Sequence, residues 1–192
     1  MRRGIIAAVL MLIVAIARAA ELKVDSVDGG SVITELSSGI KVNEGSSLHR
    51  TFVTINDISS PVQLQGSGII VTFENSRYSF AGHGNASAAE ALSAFEVRHV
   101  LFGMFGERIK TLSAEEVRDL EKASSFYLGH EEWNATEGQV SDLLTVVSFV
   151  ASVRTASGRV WHCDLKKISE AIGQLNLSLG SESKALDAPS RP

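Results

Sequence analysis

The residues of this chain that could do chemistry are few and scattered. Its only cysteine leaves no cysteine pair for a zinc site, and no histidine pair has a metal-binding spacing such as HExxH. His162 and Cys163 are neighbours in a predicted strand, so their side chains point to opposite faces and cannot form a Cys–His nucleophile. No GxSxG elbow, SxxK pair, P-loop or dinucleotide fingerprint is present. The sequence therefore predicts no catalytic residue, metal site or cofactor. The other histidines are His49, His83, His99 and His130.

The two tryptophans are candidates for ligand contact, because an aromatic ring can stack on a sugar. Trp161 has strand spacing, which favours a place in the core. Trp133 follows His130 and Glu132 in a polar segment without a clear period, which favours an exposed ring with polar neighbours. A carbohydrate-binding module that uses Trp133, His130 and Glu132 is therefore one functional hypothesis.

The N-terminus has the pattern of a secretory signal peptide. Arg2 and Arg3 precede the apolar run Ile5–Ala17, and small residues follow it, so cleavage is expected after Ala19 or Ala20. The stretch Gly4–Ala17 before Arg18 has 14 residues, fewer than the ~20 residues that span a bilayer. We therefore expect an exported protein, periplasmic or extracellular, with no stable membrane span once residues 1–20 are removed.

Charge and cysteine content limit the partners and the covalent framework of the exported chain. Three of its 18 basic residues lie in the signal peptide, which leaves 15 against 22 acidic residues and a formal charge of −7. This acidic balance disfavours nucleic acid and anionic membranes as partners. The single cysteine excludes an internal disulfide. We interpret Cys163 as a small buried side chain in a strand, with a reactive thiol or an intermolecular disulfide as the alternative.

The strongest local signal is a β-hairpin over Phe95–Leu112. Phe95, Val97 and Leu101 alternate with Glu96 and Arg98, the pattern of a strand with one apolar face. Residues 103–106 begin and end with glycine and supply the turn. The sequence therefore predicts two long antiparallel strands here.

Similar patterns predict the remaining elements. Two helices are expected, one over Ala114–Ser124 from the capping box of Ser113 and Glu116, and one over Lys166–Leu177 with Asp164 as its cap. A short helix over Ala86–Leu92 and a flexible crossover loop are left as alternatives, and Phe126–Gly138 is interpreted as a loop. Further strands are predicted at Arg50–Ile58, Val62–Glu74 with a bulge near Gly66 and Gly68, Arg77–Phe80, Asp142–Thr155 and Arg159–Cys163.

These elements predict a mainly β fold, an antiparallel two-sheet, immunoglobulin-like sandwich with one or two short helices. Residues 21–49 are polar and are expected to form a leader or edge strands. Residues 50–178 are expected to form the sandwich domain, and residues 179–192 a disordered tail.

Two segments carry a resemblance to a known family. VLFGMFGERIKTL, beginning at Val100, and TFVTINDISSPVQL, beginning at Thr51, resemble strands of the FxLYD-type immunoglobulin-like domain of small exported bacterial proteins. In that family the strand ends in an aromatic-Asp-x-x-Gly turn, and here Gly103 takes the place of the aspartate. The resemblance implies a sandwich fold and no particular activity.

The export signal, the sandwich pattern and the lack of a catalytic motif favour a non-catalytic protein. We expect it to act by binding another protein or a component of the cell envelope. The carbohydrate-binding module is the alternative, and a hydrolase whose residues converge only in the folded chain is the third hypothesis. An exposed sheet edge would favour partner binding by strand addition.

Overall fold

The computed structural model describes residues 22–29, 50–128, 132–180 and 186 of the chain. The predicted signal peptide lies outside these residues, as do His49, His130, most of the polar segment at 21–49 and most of the tail at 179–192.

Within the described residues the protein is mainly β, as the sequence predicts, with ten strands and two short helices. No helix there is long and apolar enough to cross a membrane. In chain order the elements are β1 (Leu22–Gly29), β2 (Arg50–Asp57), β3 (Val62–Glu74), β4 (Arg77–Ala88), β5 (Leu92–Phe102), β6 (Arg108–Leu120), β7 (Ser125–Tyr127), β8 (Glu132–Ala135), α1 (Glu137–Asp142), β9 (Thr145–Thr155), β10 (Val160–His162) and α2 (Leu165–Gln174).

The strands form two sheets. Sheet A has the order β1-β2-β9-β5-β6, and β10 also pairs with β9; in sheet B, β4 pairs with β3 on one side and with β7 and β8. All pairs are antiparallel except β2 and β9, which run parallel from Thr51 beside Thr145 to Ile55 beside Phe149. The predicted two-sheet, mostly antiparallel sandwich is confirmed.

Sheet A is buried on both faces over much of its area. One face packs on sheet B, where Val97 and Phe95 meet Leu64 and Phe126. The other face carries α2, whose buried Ile168 joins a cluster of apolar side chains from three strands. Because strand side chains alternate faces, successive residues of one strand point alternately into the two layers. The apolar residues of sheet A in the α2 layer are Val53, Ile55, Val100, Phe102, Val147, Phe149 and Ala151.

The central hairpin is confirmed. β5 and β6 pair from Leu92 beside Leu120 to Phe102 beside Arg108, and residues 103–106 form the turn. The second hairpin and the C-terminal helix are also present, with β10 beside β9 and the Asp164 carboxylate accepting from the amides of Lys166 and Lys167. The register shift between Leu64 and Ser67 supports the predicted bulge in β3.

The predicted helix at Ala114–Ser124 is wrong, because β6 continues as a strand to Leu120. The capping-box spacing is a local signal, whereas Ala114, Glu115 and Glu116 pair with β5. The Ser113 hydroxyl does not cap a helix but donates to Glu96 Oε1 at 2.9 Å. Pairing along the whole length of β5 has outweighed the helix propensity of this segment.

Two predicted loops are also partly strand. Neither a helix nor a loop forms at Ala86–Ala88, because β4 extends to Ala88, and the segment Phe126–Gly138 contains β8 and the start of α1. The small residues of β4 resemble a linker in the sequence, but in the structure they allow the two sheets to approach closely. A Cβ at Gly82 would lie 3.0 Å from Nε2 of His99 on the other sheet. At the start of the last long strand, Asp142 belongs to α1 and β9 begins at Thr145.

Candidate functional site

A cluster of polar side chains lies on the outer face of sheet A, in the layer of α2. Its centre is Glu96 on β5, and Ser113 of β6 and Ser152 of β9 reach it from the two neighbouring strands. A register shift between β5 and β9 places Ser152 opposite Glu96 and Val150 opposite Val97. Such a bulge re-aims a side chain within a sheet. The sheet thus brings together residues that are distant in the sequence.

Glu96 is the acceptor of the cluster. Its Oε1 accepts from Arg98 Nε at 2.6 Å and from Ser113 Oγ at 2.9 Å, and its Oε2 accepts from Ser152 Oγ at 3.2 Å. Burial by itself raises the pKa of this carboxyl, but the hydrogen bonds from Arg98, Ser113 and Ser152 and the charge of Arg98 outweigh it and lower the pKa below its ordinary value. Glu96 is therefore held as a carboxylate.

The serine and the histidine of the cluster are not arranged as a nucleophile and its base. Ser152 Oγ also lies 3.1 Å from Nδ1 of His162. Because its single proton goes to Glu96, the hydroxyl must accept from His162 rather than donate to it. In a Ser–His–acid triad the histidine stands between serine and acid and takes the serine proton. Here the serine stands in the middle, so the chain of hydrogen bonds runs the wrong way for activating it.

Cys163 packs at the border of the α2 layer, immediately after β10. Its side chain is partly buried, and burial raises the pKa of the thiol to about 11; the carboxylates of Glu96, Asp57 and Asp164 act in the same direction and Arg98 opposes them. The thiolate is the reactive form of cysteine, and it is scarce at neutral pH with such a pKa. The interpretation of Cys163 as a buried strand residue is therefore only partly right: Cys163 lies just outside β10 and is partly buried, in an environment that fits a packing residue.

Of the three histidines that the structure describes, His99 is the one buried between the sheets. Its Nδ1 lies 2.8 Å from Ser148 Oγ on β9, and its ring meets Trp133 edge-on at 6.3 Å between centroids. Burial, together with the charge of His83, lowers the pKa of His99 to about 4. His99 is therefore neutral at physiological pH. No group of three His, Cys, Asp or Glu side chains that could hold a metal ion occurs in the part of the chain that the structure describes.

Neither tryptophan lies in an open loop. Trp133 lies on β8 opposite Phe80, is half-buried and packs on an apolar cluster between the sheets. Glu132 beside it is exposed. Trp161 is also half-buried, and its Nε1 donates to Ser59 Oγ at 3.2 Å. A sugar contact by Trp133, His130 and Glu132 stays a prediction.

Among the described residues, the two most exposed large apolar side chains lie on the central hairpin. Phe105 at its tip and Val117 on β6 are each 89% exposed, and Met104 is 52% exposed. The tip is held in a fixed shape, because the amide of Gly106 donates to the Gly103 carbonyl at 3.0 Å and the amide of Phe105 donates to Glu107 Oε2 at 3.2 Å. Solvated apolar side chains on a rigid turn are suited to contact with a partner.

β6 is also the edge strand of sheet A. Among the described residues β5 is the only strand that pairs with it, and on the other side the amide of Arg108, its first residue, donates to the Ser178 carbonyl at 3.1 Å. Val117 points away from sheet B, because its neighbour Arg118 lies over the Phe126 ring at 5.3 Å. From Ile109 to Leu120 the strand offers an edge that could accept another strand.

Comparison with known proteins adds little to this geometry. No protein-family model matches the chain, and no curated protein matches it. Among solved structures, a hypothetical protein from Peptoclostridium difficile 630 is similar over 60% of this chain and 93% of its own, with 7% sequence identity and a TM-score of 0.43. A likeness at this level carries no argument about function, and the resemblance to the FxLYD-type domain stays a prediction.

Proposed function

We propose that this is an exported, non-catalytic protein that binds another protein or a protein component of the cell envelope through β6 and the tip of the β5–β6 hairpin. The observation that carries the proposal is the edge of sheet A from Ile109 to Leu120, which has no neighbouring strand among the described residues. An edge strand carries backbone N–H and C=O groups that can pair with an extended segment of a partner.

The side chains around this edge add a means of selecting the partner. Phe105 is fixed on a turn that Glu107 holds, so its immobilisation on binding costs little conformational entropy. Aromatic side chains that enter a pocket of the partner commonly contribute most of the binding free energy. Val117 provides a second apolar contact on the outer face of the same strand. Backbone pairing would thus supply affinity, and the two side chains specificity.

The polar cluster of Glu96, Ser152 and His162 supports a binding role rather than hydrolysis. Its hydrogen bonds end on a carboxylate that already accepts three donors, so no member is left as a base for a serine nucleophile. Arg98, which donates to Glu96, also donates through Nη1 to the Leu186 carbonyl at 2.8 Å. These contacts connect three strands and the C-terminal segment, so the cluster has a structural role.

Site-specific photocrosslinking in the native envelope tests the proposal. A benzoyl-phenylalanine at Phe105 or at Val117 is expected to give one discrete protein adduct. The matched control carries the same group at Val160, which is 50% exposed on β10. Equal adducts from Val160, or none from the first two positions, would refute a binding surface at this hairpin.

Hydrogen exchange then examines the mode of binding. With the crosslinked partner purified, strand addition predicts slower exchange of amides between Ile109 and Leu120. Slowed exchange confined to the tip at Met104 and Phe105 would contradict strand addition. The two readouts therefore separate the identity of the surface from the way in which it binds.

A further inference from the structure

A second surface, separate from β6, has the form of a small-ligand site. A cleft of about 570 Å³ opens where the β3–β4 hairpin extends beside β8 and the start of α1. This volume falls within the range of roughly 300–1,000 Å³ that small-molecule sites occupy. The cleft is lined by two aromatic and four polar side chains, namely Phe73, Tyr78, Ser76, Arg77, Asn134 and Glu137.

Local sequence fixes each wall of this cleft. Asn75 and Ser76 both have positive φ, 50° and 61°, which makes the two-residue turn that brings Arg77 directly after it. On the other wall, β8 runs beside β4 with Asn134 opposite Ser79. The capping box of Thr136 and Gln139 starts α1 and so holds Glu137 at the rim.

The chemistry of the lining combines an apolar surface with hydrogen-bonding groups of every kind. Phe73 and Tyr78 form a cross-strand pair with ring centroids 4.5 Å apart. Arg77, Asn134 and Glu137 are exposed and make no side-chain hydrogen bond to any described residue. The guanidinium donates, the carboxylate accepts and the amide does both. Together they can satisfy a ligand that carries both donors and acceptors.

We propose that this cleft binds a neutral saccharide. A sugar ring presents hydroxyls that donate and accept, and C–H faces that pack on aromatic rings. A purely anionic ligand would gain from Arg77 and be repelled by Glu137, and a purely cationic ligand the reverse, so a ligand without net charge uses all the polar groups, and the aromatic pair favours one with C–H faces. The site is distinct from the one predicted around Trp133, whose half-buried ring does not line the cleft.

An NMR titration of the ¹⁵N-labelled protein with cellotetraose and chitotetraose tests this assignment, with trigalacturonate as the charged comparison. Amide shifts are expected to change between Phe73 and Tyr78 and between Asn134 and Glu137. Glu137→Ala and Asn134→Ala are each expected to weaken binding about tenfold, the loss of one hydrogen bond to a saccharide hydroxyl. Both positions are exposed, so the variants should fold, and their amide spectra verify this.

Glu121→Ala is the matched control, because Glu121 is an exposed glutamate that does not line the cleft. Unchanged affinity in this variant is expected. The proposal is overturned if neither neutral oligosaccharide shifts the cleft amides, if trigalacturonate binds more tightly than both, or if Glu121→Ala weakens binding as much as Glu137→Ala. Because the β6 edge takes no part, the outcome is independent of the protein-binding proposal.

Discussion

Acidification should destabilise the fold through His99. This imidazole is fully enclosed between the sheets, where it meets Ser148 of β9, Trp133 of β8 and the backbone at Gly82 of β4. Among the described residues no carboxylate affects its pKa, and the one charge that does is that of another histidine, His83. Protonation would therefore place a cation in an environment without a counter-charge.

The size and the sign of the effect follow from the pKa values. The pKa of His99 is about 4 in the folded chain against an ordinary value of 6.5. The unfolded chain therefore takes up a proton at a higher pH than the folded chain does. The stabilising contribution is complete above pH 6.5 and is lost as the pH falls from 6.5 to 4. At about 1.4 kcal/mol for each pH unit, the loss over that interval is roughly 3 kcal/mol.

Urea unfolding at several pH values between 7 and 4 measures this loss directly. His99→Gln keeps a neutral side chain that can hydrogen-bond to Ser148, so its free energy of unfolding should change much less over the same range. His162→Gln, at an exposed histidine, should follow the parent. The pKa of Glu96 is lowered, so its contribution is lost only below the ordinary carboxyl range. Parallel curves for the parent and His99→Gln would refute the reasoning.

Three further changes have outcomes that the packing determines. Gly68→Ala should lower the free energy of unfolding by about 1–3 kcal/mol, because the new Cβ would lie 2.5 Å from Cδ1 of Phe52. Gly173→Ala should instead raise the free energy of unfolding by about 0.5–1 kcal/mol, because this glycine lies in α2 and a new Cβ would meet nothing within 4 Å. Equal effects of the two substitutions in urea unfolding would contradict this prediction. Asp164→Ala should cost about 1 kcal/mol by removing the acceptor for two amides of α2, whereas Asp164→Asn should retain most of the stability. Cys163 should react slowly with an aromatic disulfide reagent at pH 7, because its pKa is about 11, and a rate equal to that of free cysteine would show that the thiol is not shielded.

The parts of the fold that the sequence predicted depend on residues close together in the chain. The glycines at 103 and 106 and the alternation around them specify the central hairpin without reference to any other strand. Asp164 caps α2 through amides two and three residues away. Such signals are complete within one short segment, so they can be interpreted before the tertiary structure is known.

The predictions that failed, and the contacts that were missed, depend on residues far apart in the chain. Ser113 and Glu116 carry a helix-start pattern, yet β5 had to be recognised as a neighbour before their strand could be predicted. β2 lies parallel to β9 although about ninety residues separate Thr51 from Thr145. The cluster at Glu96 depends on Ser152, 56 residues away, and on a bulge that no residue type announces. Glu96 and Arg98 on a polar face were visible in the pattern, but their partners were not.

The two ends of β6 explain why an open edge can persist on this sandwich. At its start, Ser178 accepts from the amide of Arg108 and donates its own amide to the Gly106 carbonyl at 2.7 Å. The segment that follows α2 thus covers the first residue of the strand and fixes the hairpin tip. Beyond it, the charged side chains of Glu115, Glu116, Arg118 and Asp119 near the far end of the strand discourage indiscriminate pairing, as charged side chains do on natural sheet edges. Under the proposed function, we expect an edge that is blocked at one end and charged near the other to admit only a strand of matching length and charge, which is the property that a specific binding surface requires.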